Sequence, residues 1–307
     1  MDGAAESESA PARLGHAVGR ARALGVLMLV AASVGWSISG LAVKVVQTHP
    51  LSFALWRSAG AAVLMAAMIP LFTGSRPRGR WMGLSILLYT AVVALLIAAM
   101  TYATAAKGIL LQYTGPIACA LFAWVFQRRA ISPRSVAAIA IASVGVAVMV
   151  FGGEGETSAL GTVCGVASGI CFGGLILMLE KVDREEGGRA NPVWIVFANN
   201  AGSVVLLLPV CLWLGAIDWT PWKMGVVLGV GFVQLAIPYL LFQLALRRVH
   251  PVDASLLVLL EPVLNPVWVA MFTVERPDAA TIVGGVAILV AMVIEATKPK
   301  AEVVREG

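Results

Sequence analysis

The 307-residue chain predicts an all-α integral membrane protein, with ten transmembrane helices arranged as two inverted five-helix repeats. Three observations carry that fold class. Ten long apolar segments run almost end to end, basic residues alternate between rich and poor loops, and the last five segments match the first five in order. Composition agrees: 59% of residues are hydrophobic and 13% charged, against about a quarter charged in a soluble domain. Mean hydropathy is +0.88.

The segments run Ala23–Val46, Leu51–Phe72, Trp81–Ala105, Gly108–Phe126, Val136–Phe151, Leu160–Leu179, Pro192–Leu214, Met224–Leu246, Ala254–Val274 and Ala279–Ala296. Most have the roughly 17–25 residues that cross a hydrocarbon core of about 30 Å, and the fifth is slightly short. Lipid offers no partner to a backbone amide, so segments this long without period-two alternation are helices and not barrel strands. The chain then divides into a tail at 1–22, a first repeat at 23–152, a second at 159–296 and a tail at 297–307. Residues 1–22 carry charge but no apolar core ahead of the first span, so they do not read as a cleaved secretory signal.

Topology follows from the basic residues. With the N-terminus inside, the inner segments hold Arg13, Arg20, Arg22, Arg76, Arg78, Arg80, Arg128, Arg129, Arg134, Lys181, Arg184, Arg189, Arg247, Arg248, Lys298, Lys300 and Arg305. The outer ones hold only Lys107, Lys223 and Arg276, while Lys44 and Arg57 fall within spans. This imbalance predicts a bacterial-type inner (plasma) membrane protein with both termini cytoplasmic. It also accounts for the formal charge of +5 through membrane lipids, with no nucleic-acid partner. Cys119, Cys164, Cys171 and Cys211 lie inside spans without close pairs, so neither a disulfide framework nor a metal site or cofactor is expected.

The repeat is readable residue by residue. At an offset of 136, Leu24-Gly25 meets Leu160-Gly161 and Trp36 meets Phe172; at 142, Pro50 meets Pro192, Ala59-Gly60 meets Ala201-Gly202, and Arg57 meets Asn199. At 146, Leu110-Leu111 meets Leu256-Leu257, Pro116 meets Pro262, and Gly115 meets Glu261. Five crossings per half invert the second half relative to the first, an architecture recurrent in carriers that work by alternating access.

Two stretches, "AAKGILLQYTGPIACALFAWVFQRR" with Tyr113-Thr-Gly-Pro and "DASLLVLLEPVLNPVWVAMFTVERP" with Leu260-Glu-Pro-Val, resemble the EamA-type, ten-helix branch of the drug/metabolite transporter superfamily over about residues 23–296. Trp36, Lys44, Arg57 and Glu275 also fit that family's placement, whereas Arg128 and Arg129 stand where it often has glutamate. The resemblance implies a secondary exporter of a small metabolite. It does not choose among amino acids, cofactors, nucleotide-linked sugars and drugs.

Glu261 is the most informative side chain, because an acid near mid-span costs about 2.5–3.5 kcal/mol on insertion scales. It is either a proton-titrating, coupling carboxylate in a wet cavity or a structural acid bonded to neighbouring helices. Glu261 and Asn265 are four apart and share a face, with Gly115 and Cys119 as repeat mates and Gln112 one turn earlier. These faces predict a central cavity in which small Gly115 leaves room for a ligand and Gln112 supplies an amide; helix packing is the alternative. Arg57 either binds a substrate carboxylate or is a counter-charge, with Asn199 and Asn200 as its inverted counterparts. Lys44 and Lys107 sit near outer helix ends, where solvation is expected. Trp36, away from the interfacial belt of Trp81, Trp194, Trp213, Trp219 and Trp222, either stacks on a ligand or packs. Gln234 and Tyr239 are candidate contacts beside Pro238, and Pro116, Pro238 and Pro262 are candidate hinges.

Nothing favours catalysis: the three histidines lie outside the spans, and no HExxH, GxSxG or Walker-type loop occurs. The expectation is a secondary transporter exporting a small polar or amphipathic, amino acid-like metabolite by alternating access, with protons the natural coupling ion if Glu261 titrates. An uncoupled facilitator, a drug or cation exporter, a membrane enzyme and a non-transporting membrane protein are the rivals. Oligomeric state is left open.

Overall fold

A computed structural model describes residues 10–128, 132–152, 158–245, 248–249, 254 and 257–297. The expectations for Arg129, Arg247, Lys298, Lys300, Arg305 and residues 1–9 lie outside these residues. The first span is α1 (Ala10–Ser37) and α2 (Ser39–Val46) with a turn at Ile38, the second α3 (Pro50–Met68), and the third α4 (Arg80–Tyr102). The fourth divides into α5 (Ala105–Gln112) and α6 (Gly115–Gln127), and the fifth is α7 (Pro133–Phe151). The second half has α8 (Ala159–Glu185), α9 (Pro192–Trp213), then α10 (Pro221–Val230) and α11 (Ile237–Ala245) joined by a π turn at Gly231–Ala236, then α12 (Leu260–Phe272) and α13 (Ala279–Ala296). Among the described residues, nine helices are long and apolar enough to cross a membrane, and Leu260–Phe272 is a shorter apolar helix. Among the described residues there is no sheet, only an isolated bridge between Ser75 and Ala190.

Capping moves several ends from where apolarity alone sets them. The fifth span starts at Pro133 and not Val136, because Ser132 accepts a hydrogen bond from Ser135 N and Pro133 fills a first-turn position that needs no N–H. It therefore reaches 19 residues and is not short. Asn191 caps α9 and Asp278 caps α13 in the same way. Residues 10–22, read from the sequence as part of a tail, continue α1 as helix. The ninth span is interrupted at Leu259, where Pro262 cannot donate to the Val258 carbonyl.

Packing obeys the repeat. α4 lies on α8 as α11 lies on α1, and α5 and α6 lie on α8 as α12 lies on α1 and α2. α4 meets α9 as α10 and the π turn meet α3, while α3–α9, α7–α13 and α5–α12 pair mates with each other. The two sides of this exchange are held differently. On α8, Gly161, Gly165, Gly169 and Gly173 form a one-face stripe whose missing side chains let the C-terminal end of α4 and the middle of the fourth span, Leu111–Cys119, approach its backbone. Their mates on α1 are Gly25, Leu29, Ser33 and Ser37, and there the serines supply hydrogen bonds: Ser33 Oγ donates to Leu257 O at 3.1 Å, and Trp268 Nε1 donates to Ser37 Oγ at 2.8 Å.

Loop contacts sort into two faces, as alternating crossings require. On the face carrying Arg76, Arg78, Arg80 and Arg189, Ser75 N donates to Arg189 O and Asn191 N donates to Ser75 O, and Gly25 packs beside Val249. Trp194 there lies under Arg76 and Arg78, and Trp81 under Arg80 and Lys181. We call this the basic face and the other the far face.

The glycine stripe generates a test. A Cβ at Gly169 would meet the Leu111 carbonyl at 2.7 Å and the Thr114 hydroxyl, whereas one at Gly83 meets nothing within 4 Å. Gly169→Leu should therefore overpack the α8 seam at a cost of about 1–3 kcal/mol and lower the melting temperature of the solubilised protein, while Gly83→Leu leaves it unchanged.

Candidate functional site

The fourth and ninth spans both break near mid-membrane, and the polar side chains gather where the breaks meet. Tyr113, in the two-residue turn between α5 and α6, donates its hydroxyl to Glu261 Oε2 at 2.8 Å. The Val258 carbonyl, which Pro262 leaves without its helical partner, is 3.5 Å from the same hydroxyl. Glu261 is half-buried, and its other oxygen accepts no hydrogen bond among the described residues.

Arg57 enters from α3 and is only 6% exposed. Its Nε donates to Gln234 Oε1 at 2.7 Å, and the guanidinium interacts electrostatically with Tyr89 and with Glu261. Among the described residues no hydrogen bond is made by Nη1 or Nη2. Tyr89 is half-buried on α4 and donates to Asn200 Oδ1 at 3.0 Å, which carries the cluster across to α9. The result is one cation and one anion on opposite halves of the repeat, with Tyr89 beside Arg57 and Tyr113 bonded to Glu261. Arg57 presents four N–H groups and Glu261 one carboxylate oxygen to whatever lies between them.

The other expected residues divide. Gln234 belongs to the cluster, with its Nε2 donating to the Trp36 carbonyl at 3.2 Å. The Trp36 ring packs at 5.5 Å from Phe242 and is half-buried. Gln112 is half-buried in the last turn of α5. Gly115 does not leave open room: a Cβ there would collide with the Phe172 ring, so a side chain of α8 fills that space. Asn199 is buried and accepts from Ser85 Oγ at 3.1 Å, so it faces α4 and the neighbouring Asn200 reaches the cluster instead. Asn265 is fully buried against the first-span break, donating to Ser39 Oγ at 3.2 Å. Tyr239 packs in a separate group with Met65, Phe72 and Val193. Pro116 sits in the first turn of α6, Pro238 follows the π turn, and Pro262 opens α12. Sequence reasoning missed Tyr113 and Tyr89 as site residues, although only four tyrosines occur in the chain and both of these fall inside spans. Among the described residues, no group of three or more His, Cys, Asp or Glu could hold a metal ion.

The far face is tied across the two halves. Lys44 and Lys107 are not simply solvated as expected: Lys44 Nζ lies 2.6 Å from Glu275 Oε2 and donates to Ala103 O at 3.0 Å, and Lys107 is 2% exposed. Glu275 Oε1 also accepts from Ala105 N at 2.7 Å, so one ion pair joins the first span, the turn into the fourth and the loop after the ninth. Nearby, Asp218 Oδ2 receives both Thr48 Oγ1 and Lys223 Nζ at 3.0 Å, and Lys223 Nζ also donates to Gln47 O. Hydrogen bonds from Thr220 above all, and then from Lys223, hold the Asp218 carboxyl below the usual carboxylate range.

Comparison with known proteins places this geometry in context. The profile of the EamA-like transporter family matches residues 23–151 and 159–296, one match for each half. An uncharacterized transporter from Archaeoglobus fulgidus is 24% identical over 250 residues, which cover 78% of this chain and 88% of that protein. A solved crystal structure, 18% identical, superposes with a TM-score of 0.60 over 88% of this chain and 96% of its own, which supports the fold alone.

Two outcomes follow from the far-face ties. Lys44→Glu or Glu275→Lys alone should lower the melting temperature, and the double exchange should recover most of the loss, because the pair is only partly exposed and its geometry is shared. For Asp218, the folded protein favours the ionised form. Its stabilisation is therefore complete above the ordinary value of about 3.9 and lost as pH falls further. The melting-temperature gap between the parent and Asp218→Asn should be constant from pH 7 to about 5 and close progressively below about pH 4.

Proposed function

The chain belongs to the EamA-like transporter family, and on that premise we propose that it is a secondary transporter exporting small amphipathic zwitterions of the amino-acid kind by alternating access. The observation that carries this reading is the central pairing of an Arg57 fork with unspent Nη groups and a half-buried Glu261 with an unspent oxygen. A guanidinium fork matches a carboxylate bidentately, and a carboxylate accepts from an ammonium. Tyr89, Tyr113 and Trp36 supply amphipathic walls for the remainder of the substrate. A purely cationic substrate would meet the Arg57 charge, and a large polyanion would meet Glu261.

The basic face is assigned to the cytoplasm of a bacterial-type inner membrane, since arginine and lysine are retained on that side, and an even number of crossings brings both termini there. Transport proceeds by rocking the two halves about the charged centre. Glu261 is the coupling group: its carboxylate accepts either a proton or the substrate's ammonium, so the two compete, and a proton taken up as the substrate leaves accompanies return of the emptied carrier.

The test is uptake of radiolabelled zwitterionic amino acids into proteoliposomes across a pH series. Glu261→Gln should leave the protein monodisperse but flatten the pH dependence, and Arg57→Lys should raise the half-saturating concentration about tenfold, a loss of roughly 1.4 kcal/mol. An unchanged pH profile in Glu261→Gln removes Glu261 from coupling, and wild-type affinity in Arg57→Lys removes Arg57 from recognition.

A further inference from the structure

We infer that Gln234 is a positioning residue and not a substrate contact: it sets the direction of the Arg57 fork and ties that direction to the break in the first span. The inference rests on the proposed role of Arg57 and goes beyond it, since both ends of the Gln234 amide are already committed. Oε1 accepts from Arg57 Nε at 2.7 Å and Nε2 donates to the Trp36 carbonyl at 3.2 Å, and the residue is 3% exposed. Because the guanidinium is planar, fixing Nε fixes the plane and the heading of both Nη groups.

The backbone around Gln234 is shaped for this task. It lies in the π turn Gly231–Ala236, a rare conformation often found at functional sites. A Cβ at Gly231 would collide with the Arg57 carbonyl, and one at Gly60 with the Leu228 carbonyl, so two glycines bring this stretch of the eighth span against the backbone that carries Arg57. On the other side, the Trp36 carbonyl sits in the last turn of α1, directly before Ile38, where α1 gives way to α2. A shift of the first span against the eighth therefore pulls on Gln234, and through it on the fork.

An amide suits this position better than an acid. A carboxylate at residue 234 would take the guanidinium bidentately and neutralise it, leaving no net charge for a ligand, whereas the neutral Gln234 oxygen orients Arg57 and leaves its charge unspent. Stability and recognition thus respond in opposite directions to the same change. A side chain that served packing alone would not separate them.

The experiment uses the full chain in nanodiscs with ¹⁵Nε-labelled arginine, the Arg57 Nε–H signal being assigned by its loss in Arg57→Lys, together with counterflow of radiolabelled L-phenylalanine in proteoliposomes. Gln234→Leu should speed hydrogen exchange at the Arg57 Nε–H at least tenfold and raise half-saturation for phenylalanine about tenfold. On an Arg57→Lys background it should add less than twofold. Gln234→Glu should keep the Nε–H protected and the melting temperature at or above the parent value, yet lose phenylalanine counterflow at least tenfold. Unchanged Nε–H exchange in Gln234→Leu, or wild-type counterflow in Gln234→Glu, overturns the inference. If the parent protein moves no phenylalanine, the zwitterion reading fails on its own, and the Nε–H exchange still decides whether Gln234 orients Arg57.

Discussion

Lipid cannot solvate a guanidinium or a carboxylate, and the arrangement of this protein turns on how two such groups are kept at its centre. Burying either one bare would cost several kcal/mol, so each must find its compensation inside the bundle. Arg57 is held by Gln234 and lies in the electrostatic field of Tyr89 and Glu261, and Glu261 is held by Tyr113. These partners come from the second, third, fourth, eighth and ninth spans. The local irregularities of the fold sit next to them: the turn at Tyr113, the break at Leu259 and the π turn at Gly231–Ala236. Straight helices would bury the same residues but would not converge them.

The duplication keeps its positions and alters their contents. Where the first half has Gly115, the second has Glu261; where the first has Arg57, the second has Asn199. Gly115 is covered by Phe172, whose mate is Trp36 on the first span. At the offset of 136, Lys44 corresponds to Glu180, and at 146, Glu275 corresponds to Arg129, so the far-face ion pair has mates of exchanged sign in the sequence. The dry glycine seam of α8 is matched by the hydrogen-bonded serine seam of α1. One scaffold thus has a close-packed side and a polar side. The electrostatic cluster draws its cation from the first repeat and its anion from the second.

The fold was almost wholly legible in the sequence, because apolar length, loop charge and the ordered repeat each report the bilayer directly. What apolarity could not report was capping, and so the start of the fifth span was misplaced by three residues until Ser132 and Pro133 accounted for it. The site was legible only in part. Arg57, Gln234 and Glu261 stood out because polar atoms in spans are costly, but cost alone does not reveal partners. Tyr113 and Tyr89 escaped notice because a tyrosine in an apolar helix is unremarked until its hydroxyl finds an acceptor. Helical spacing puts Asn265 on the face of Glu261, and both lie in α12; one turn apart along the axis, Asn265 meets Ser39 of the first span while Glu261 meets Tyr113 of the fourth. A glycine at 115 implies space from sequence alone, whereas Phe172 of α8 fills it, a neighbour that spacing does not name.

The same contacts limit how the molecule can move. The second and seventh spans are bound to each other along their length and tied at both faces, by Asn191, Ser75 and Arg189 at one end and by Thr48, Ser52 and Asp218 at the other. They are the least able to separate. The first, fourth, eighth and ninth spans are the ones with a turn, a break or a π segment at mid-depth, and such points absorb a change in direction at little cost because their helical hydrogen bonds are already interrupted. All four border the Arg57 and Glu261 cluster. Gln234, Trp36, Tyr113 and Glu261 sit at or beside those points, so in this bundle the groups that hold the charges lie where the helices change direction.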